Sequence, residues 1–323
     1  MDVSIVIPTK NAGPLFSRVL EAVFHQKTEY EYEVICVDSG SSDETLDIIN
    51  KFPCKLYQIP KEEFGHGKTR NYGASKGTGE FIVFITQDAL PASDLWLQNF
   101  IDGMKTDEQI AGGFGIHYPY PDCNLIDKIM LKNHFRNFGE ERTIFYIEDP
   151  KRYETDDGYR GFLSFFSDNN SCLRRKVWEQ IPYDDVNFAE DQIWAKKVLE
   201  KGYKKIYVPD APVYHSHNFP VKTYLGRCFD EFKALYQLNG YKIAETRSQV
   251  IKGSLHGILY DWRCIFKEDV SFFEKIKWMV YSVWRNYCKY LGAYYSVKYN
   301  ALSETDRKKM DEKYSQQYKQ KMR

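Results

Sequence analysis

Acidic and turn-forming residues stand at the ends of three apolar runs, and two adjacent acids open a later helical stretch. The runs are Val3–Pro8, Val34–Asp38 and Phe81–Asp88; they close in Pro8-Thr9-Lys10-Asn11, Asp38-Ser39-Gly40-Ser41-Ser42-Asp43 and Thr86-Gln87-Asp88. An aspartate such as Asp38, after a strand and before a Ser/Gly turn, either accepts hydrogen bonds from a ligand or forms an Asx turn. Arg70, in Gly65-His66-Gly67-Lys68-Thr69-Arg70-Asn71, carries a guanidinium fork suited to phosphate oxygens, with Lys68 as a second cation. Asp88 offers hard oxygen to Mg2+ or Mn2+, and His215 or His217 can add an imidazole acceptable to Mn2+. Glu190-Asp191 can take a proton or simply cap a helix.

The elements that must hold these residues follow from pattern. The three runs are rich in β-branched and aromatic residues, as expected of strands buried on both faces. Leu15, Val19, Ala22 and Val23 recur at helical spacing between Pro14 and about Gln26, with Pro14 suited to a first turn. Ser42 can cap a helix to about Lys51. Further strands are expected at Lys55–Ile59, Glu80–Thr86, Asn169–Leu173, Ile206–Val208 and Pro212–Tyr214, and a helix at Asp191–Lys201 ending at Gly202. Alternating strands and helices imply an α/β fold with a parallel sheet. In such sheets ligands bind outside the carboxyl ends of the strands, so the three polar ends should face one crevice. Between Gly112 and Ser167 periodicity weakens into an aromatic excursion, read as a binding insertion and a candidate acceptor wall from His117 to Phe166.

Composition bounds the rest. The chain has 323 residues, 43% hydrophobic and 16% aromatic, with formal net charge zero, which excludes disorder and a nucleic-acid footprint as global features. Seven cysteines scattered singly suggest reduced thiols. With no leader pattern at the start and no apolar run of roughly 18 residues, a cytoplasmic protein, soluble or peripheral to a membrane, is expected.

In order and spacing these motifs resemble the inverting family 2 glycosyltransferases of GT-A fold over roughly residues 3–217. Gly65-His66-Gly67-Lys68-Thr69-Arg70-Asn71, Thr86-Gln87-Asp88-Ala89 and Glu190-Asp191-Gln192 look most like the rhamnosyltransferases of bacterial polysaccharide assembly. The resemblance implies a GT-A catalytic domain over 1–220, with donor-binding half 1–115 and acceptor half 116–220, and a helical region over 221–323. It implies nucleotide-sugar contacts from Pro8, Thr9, Asn11, Asp38, Ser39, Gly40, Asp43, His66, Gly67, Lys68, Arg70, Thr86 and Gln87, with Asp38 on the pyrimidine. Mg2+ or Mn2+ would be held by Asp88 with His215 or His217. The chain departs from the family in having Thr86-Gln87-Asp88 where an acidic D-x-D is usual. Asp191, beside Glu190, becomes the expected base for a single displacement with inversion.

The implied donor is dTDP-L-rhamnose and the acceptor a saccharide, free or lipid-linked. UDP-hexose or UDP-HexNAc donors, or a non-catalytic nucleotide-sugar-binding scaffold, are the alternatives. From Lys275 onward twelve Lys/Arg face four Asp/Glu, interleaved with Trp and Tyr, which fits a membrane-surface helix, internal packing or a homo-oligomer contact.

Overall fold

The computed structural model describes residues 1–186 and 188–321. It divides into two compact units, one of residues 1–120 and 131–216, the other of 121–130 and 217–323. The second unit therefore includes a short segment from the middle of the chain as well as the expected C-terminal helices.

The first unit starts with β1 (Val3–Thr9), whose two faces are both covered. In α1 (Leu15–Phe24), Phe16, Val19, Leu20 and Val23 form one buried stripe. Each contributes roughly 1.5–3 kcal/mol, more than helix propensity can. Then come β2 (Tyr32–Asp38), the short α2 (Thr45–Ile49), β3 (Lys55–Gln58), α3 (His66–Lys76) and the fully buried β4 (Phe81–Ile85). α2 starts later than expected, after Glu44, and Ser42 does not cap it: its amide and its hydroxyl both donate to Asn11 Oδ1, at 2.8 and 3.5 Å.

The expected loose excursion is ordered. After β5 (Leu90–Pro91) and α4 (Trp96–Lys105), β6 (Ile110–Tyr118), α5 (Leu125–Arg136), β7 (Thr143–Phe145), α6 (Pro150–Thr155) and α7 (Asp157–Ser164) follow in succession. Order arises from ring packing rather than helical or strand periodicity: Phe114, Phe135, Phe138, Phe165 and Tyr207 form a network of contacts at centroid distances of 5.0–6.3 Å. Phe135, Phe138 and Phe166 are buried and build core, whereas Tyr118 and Tyr146 of the same stretch are exposed.

β8 (Asn170–Arg174), α8 (Arg175–Trp178), α9 (Glu190–Glu200) and β9 (Lys204–Tyr214) complete the unit. Two expected strands merge into β9, and its pairing with β6 slips around Pro209 and Pro212, which have no amide proton for the ladder. Among the described residues nine strands form one sheet, ordered β3-β2-β1-β4-β8-β6-β9-β5 with β7 also on β9. β1 to β4 are parallel, as expected, but β8 runs antiparallel to both β4 and β6, so the sheet is mixed.

The second unit contains α10 (Val221–Asn239), α11 (Arg247–Lys267), α12 (Phe272–Asn300), α13 (Glu304–Tyr314) and α14 (Gln316–Lys321). A reciprocal capping box between Thr246 and Gln249 opens α11, and the Ser271 hydroxyl accepts from Glu274 N at the start of α12. Arg285 is buried on α12 and pairs with Asp127, with the Tyr224 ring 4.9 Å away. Among the described residues no helix is long and apolar enough to cross a membrane.

Candidate active site

Three loops at the carboxyl ends of β1, β2 and β4 are stitched together by hydrogen bonds. Asn11 N donates to Ser41 Oγ (2.8 Å), Ala12 N to Thr45 Oγ1 (2.7 Å) and Gly13 N to Asp43 Oδ2 (3.1 Å). Gln87 exchanges two bonds with the Lys10 main chain, accepting from its N–H at 2.8 Å and donating to its carbonyl at 3.2 Å. Asn11 adopts a left-handed conformation that asparagine tolerates well. Burial alone would raise the Asp43 carboxyl, but hydrogen bonds from Thr45 and Gly13 more than offset it and hold it below the usual range.

Asp38 lies at the centre of this platform, fully buried. It accepts from Thr9 Oγ1 (3.2 Å), Ser41 Oγ (2.5 Å), Gly40 N (3.0 Å) and Ser41 N (2.9 Å). Four donors fill the capacity of a carboxylate. The Asx turn is thus realised, and a base edge would have to displace one of these donors. Gly40, at φ +84°, supplies the left-handed residue the turn requires, and Ser39 donates its amide and hydroxyl to Thr9 O. Pro8 is half-buried at the end of β1, and the buried Thr86 hydroxyl has no hydrogen-bond partner among the described residues.

The α3 motif separates into two roles. His66 and Lys68 are exposed at the helix start, with His66 edge-on to Phe64. Gly67 is buried, and a Cβ there would overlap the Asp184 carbonyl, so close packing alone requires glycine at this position. Arg70 also faces the interior. Only 5% exposed, it donates to Glu190 Oε1 (2.7 Å), and its Nε lies 3.3 Å from Asp168 Oδ2, a charge contact without hydrogen-bond geometry. Its guanidinium is committed to two carboxylates of this site rather than open to a diphosphate. Burial alone would lower its pKa, but Asp168 and Glu190 raise it further.

Around Arg70 gather three acids brought together from two separate segments. Glu190 and Asp191 begin α9, preceded by Ala189 in a left-handed conformation, φ +61°, that is strained for a non-glycine residue. Asp168, which no motif of the sequence marks, accepts from Ser171 Oγ (2.6 Å) and Tyr183 OH (2.7 Å). An acid directly before a strand was the one sequence signal available. The half-buried Asp191 accepts from Gln192 N (2.8 Å) and Asp168 N (3.3 Å). Burial first, then the charges of Glu190 and Asp168, push its carboxyl well above the usual carboxylate range. Burial raises Glu190 and Asp168 as well.

The neighbouring residue, Asn169, links this cluster to the candidate metal residues. Its side-chain amide lies 3.4 Å from His215 Nδ1, and His215 Nε2 lies 3.6 Å from Asp88 Oδ1. Tyr120 OH donates to Asp88 O (3.0 Å). His215 is buried at the end of β9, beside the ring of His117, whose pKa is pushed well below its ordinary value by burial and then by His215 and His134. One carboxylate with an imidazole is a donor set that can hold a divalent cation. His217 follows two residues on, exposed, where the chain enters the second unit.

The model of the family described as "Glycosyl transferase family 2" matches residues 4–181. The chain belongs to that family. Among its relatives, the O-antigen chain rhamnosyltransferase RfbN of Salmonella typhimurium is 32% identical over 235 residues, 71% of each chain. WbaN of Salmonella anatum, another O-antigen chain rhamnosyltransferase, is 31% identical over 234 residues, 70% of each. The family's GT-A fold is also that of Staphylococcus aureus TarS residues 1–349 solved with UDP-GlcNAc, at TM-score 0.54 and 15% identity over 93% of this chain and 92% of that one. The mannosyltransferase PcManGT from Pyrobaculum calidifontis, in complex with GDP-Man and Mn2+, matches at TM-score 0.51 and 17% identity, over 93% of this chain and 74% of that one. The chain is thus a glycosyltransferase.

Proposed function

We propose that this glycosyltransferase moves L-rhamnose from dTDP-β-L-rhamnose to a saccharide acceptor, with inversion to an α linkage and Asp191 as general base. The observation that carries the mechanism is the position of Asp191. It is half-buried, oriented by two backbone amides, and its carboxyl is raised by burial and by the adjacent acids, so it holds a proton more readily than an ordinary carboxylate. A base of raised pKa is matched to removing a proton from a sugar hydroxyl near neutral pH. As Asp191 takes that proton, the acceptor oxygen bonds to the anomeric carbon. The anomeric carbon–oxygen bond breaks with its electron pair leaving on the nucleoside diphosphate.

Arg70 pairs with Glu190 and Asp168 beside the base, and burial together with the charge of those two acids raises the affinity of Asp191 for the proton. The stitched loops after β1, β2 and β4 carry Thr9, Asn11, Asp38 and Gln87 as the floor of the nucleotide site, with Lys68 the nearby exposed cation for the diphosphate. Asp88, His215 and His217 are the proposed holders of Mn2+ or Mg2+. A divalent cation, when bound, supplies charge neutralisation to the departing diphosphate.

The rhamnosyl specificity draws its support from the two O-antigen relatives. It is tested by calorimetry with dTDP-L-rhamnose, UDP-glucose, UDP-galactose and UDP-GlcNAc, with and without Mn2+. Selective binding of dTDP-L-rhamnose, enhanced by Mn2+ and with the enhancement lost in Asp88→Asn, is expected. Preference for a UDP-sugar would overturn the donor assignment.

A further inference from the structure

We propose that the α11–α12 hairpin of the second unit is a membrane-docking face that takes anionic phospholipid, with Phe272 and Phe273 entering the bilayer first. On α11, Ile251, Leu255 and Leu259 recur every fourth residue, and all three are more than half exposed. On α12, Ile276, Val280, Val283, Trp284 and Tyr287 continue such a stripe at helical spacing, again exposed. Trp262 of α11 and Ile276, Met279, Val280, Val283 and Trp284 of α12 line one shared groove of about 470 Å³, so both helices contribute to the same apolar surface. At the hairpin tip Phe272 is 69% and Phe273 82% exposed, more than any other large apolar side chain described. Large apolar side chains exposed in such number on one hairpin mark an interaction site.

Charge decides what covers it. The two helices carry four and five Lys/Arg against two Asp/Glu. Of the two acids, Asp261 is buried against Asn286, and Glu274 is paired with Lys277 at 3.2 Å. The exposed cations include Lys252, Arg263, Lys267 and Lys277. Isologous pairing of two copies through this face would set the same cationic excess against itself, whereas anionic headgroups complement it. Apolar and aromatic residues on one side with Lys/Arg around them is the arrangement of a helix lying in the interface plane. Neither helix is long and apolar enough to span. Docking here is independent of the donor proposal; only its use, meeting an acceptor carried on lipid, rests on that reading.

The test is vesicle sedimentation of the full chain. It uses phosphatidylglycerol–phosphatidylethanolamine vesicles and phosphatidylcholine vesicles, together with tryptophan emission and the oligomeric state by analytical ultracentrifugation. Expected are binding to the anionic vesicles that weakens with salt, a blue shift of emission, and affinity at least about tenfold lower in the Phe272→Ser/Phe273→Ser double variant. Because both rings are exposed, that variant should keep its melting temperature. Lys267→Glu/Lys277→Glu, which leaves the apolar face intact, should also lower binding. Absence of binding by the full chain would overturn the proposal. So would a dimer that the double Phe variant abolishes while vesicle binding is absent, which would assign the face to a second copy.

Discussion

Arg70 shows how a residue with the right chemistry for one task can be committed to another. Its guanidinium suits phosphate, but the fold places it 2.7 Å from Glu190 and 3.3 Å from Asp168, residues roughly a hundred positions away in sequence. Spacing along the chain carries no trace of such a contact, and Asp168 was illegible for the same reason. Asp38 differs in that both of its readings were visible in the sequence, and the fold realises the Asx turn through four donors. Replacing Arg70 with Leu would strip two buried acids, Glu190 and Asp168, of their counter-ion. A loss of about 3–5 kcal/mol in urea unfolding is expected, and an unchanged midpoint would contradict the ion-pair account. The raised carboxyl of Asp191 also fixes the sign of the pH dependence. The base works only when deprotonated, so turnover should fall as pH drops through a value well above the ordinary carboxylate range. A pH–rate profile flat down to that ordinary range would remove the coupling of Asp191 to Glu190 and Asp168.

At the scale of elements, what was legible depended on how each element is held. β1, β2 and β4 are buried on both faces and read directly as apolar runs, and α1 reads from its single buried stripe. The elements from β6 to α7 are held by aromatic rings meeting across long stretches of chain, so they left no periodic signal and read as an excursion. The antiparallel entry of β8 between β4 and β6 depends on the path of that same stretch. Close packing makes a specific demand at α3, where Gly67 lies against the Asp184 carbonyl. Gly67→Ala should cost about 1–3 kcal/mol by overpacking, measured by chemical denaturation. Donor affinity should fall only as far as folding does; selective loss of donor binding in a fully stable variant would return Gly67 to the donor site.

Across the whole molecule, zero net charge conceals a basic C-terminal stretch, and contiguous division of the sequence conceals a shared segment. Residues 121–130 count with the second unit, where Ile126 and Ile129 form a core cluster with Ile265 and are packed by Trp278. A chain ending at Ser216 would leave Ile126 and Ile129 without those partners. It should therefore be less soluble and melt lower than the full chain, by light scattering and calorimetry. Equal stability would show that 121–130 does not need the later helices.

The most direct test of the account is the turnover of Asp191→Asn with dTDP-β-L-rhamnose and a saccharide acceptor, alongside its donor affinity. A fall of about 10²–10⁴-fold in turnover with donor affinity retained is predicted, since the amide preserves shape but cannot take the proton. Turnover equal to that of the unaltered chain would contradict Asp191 as the base.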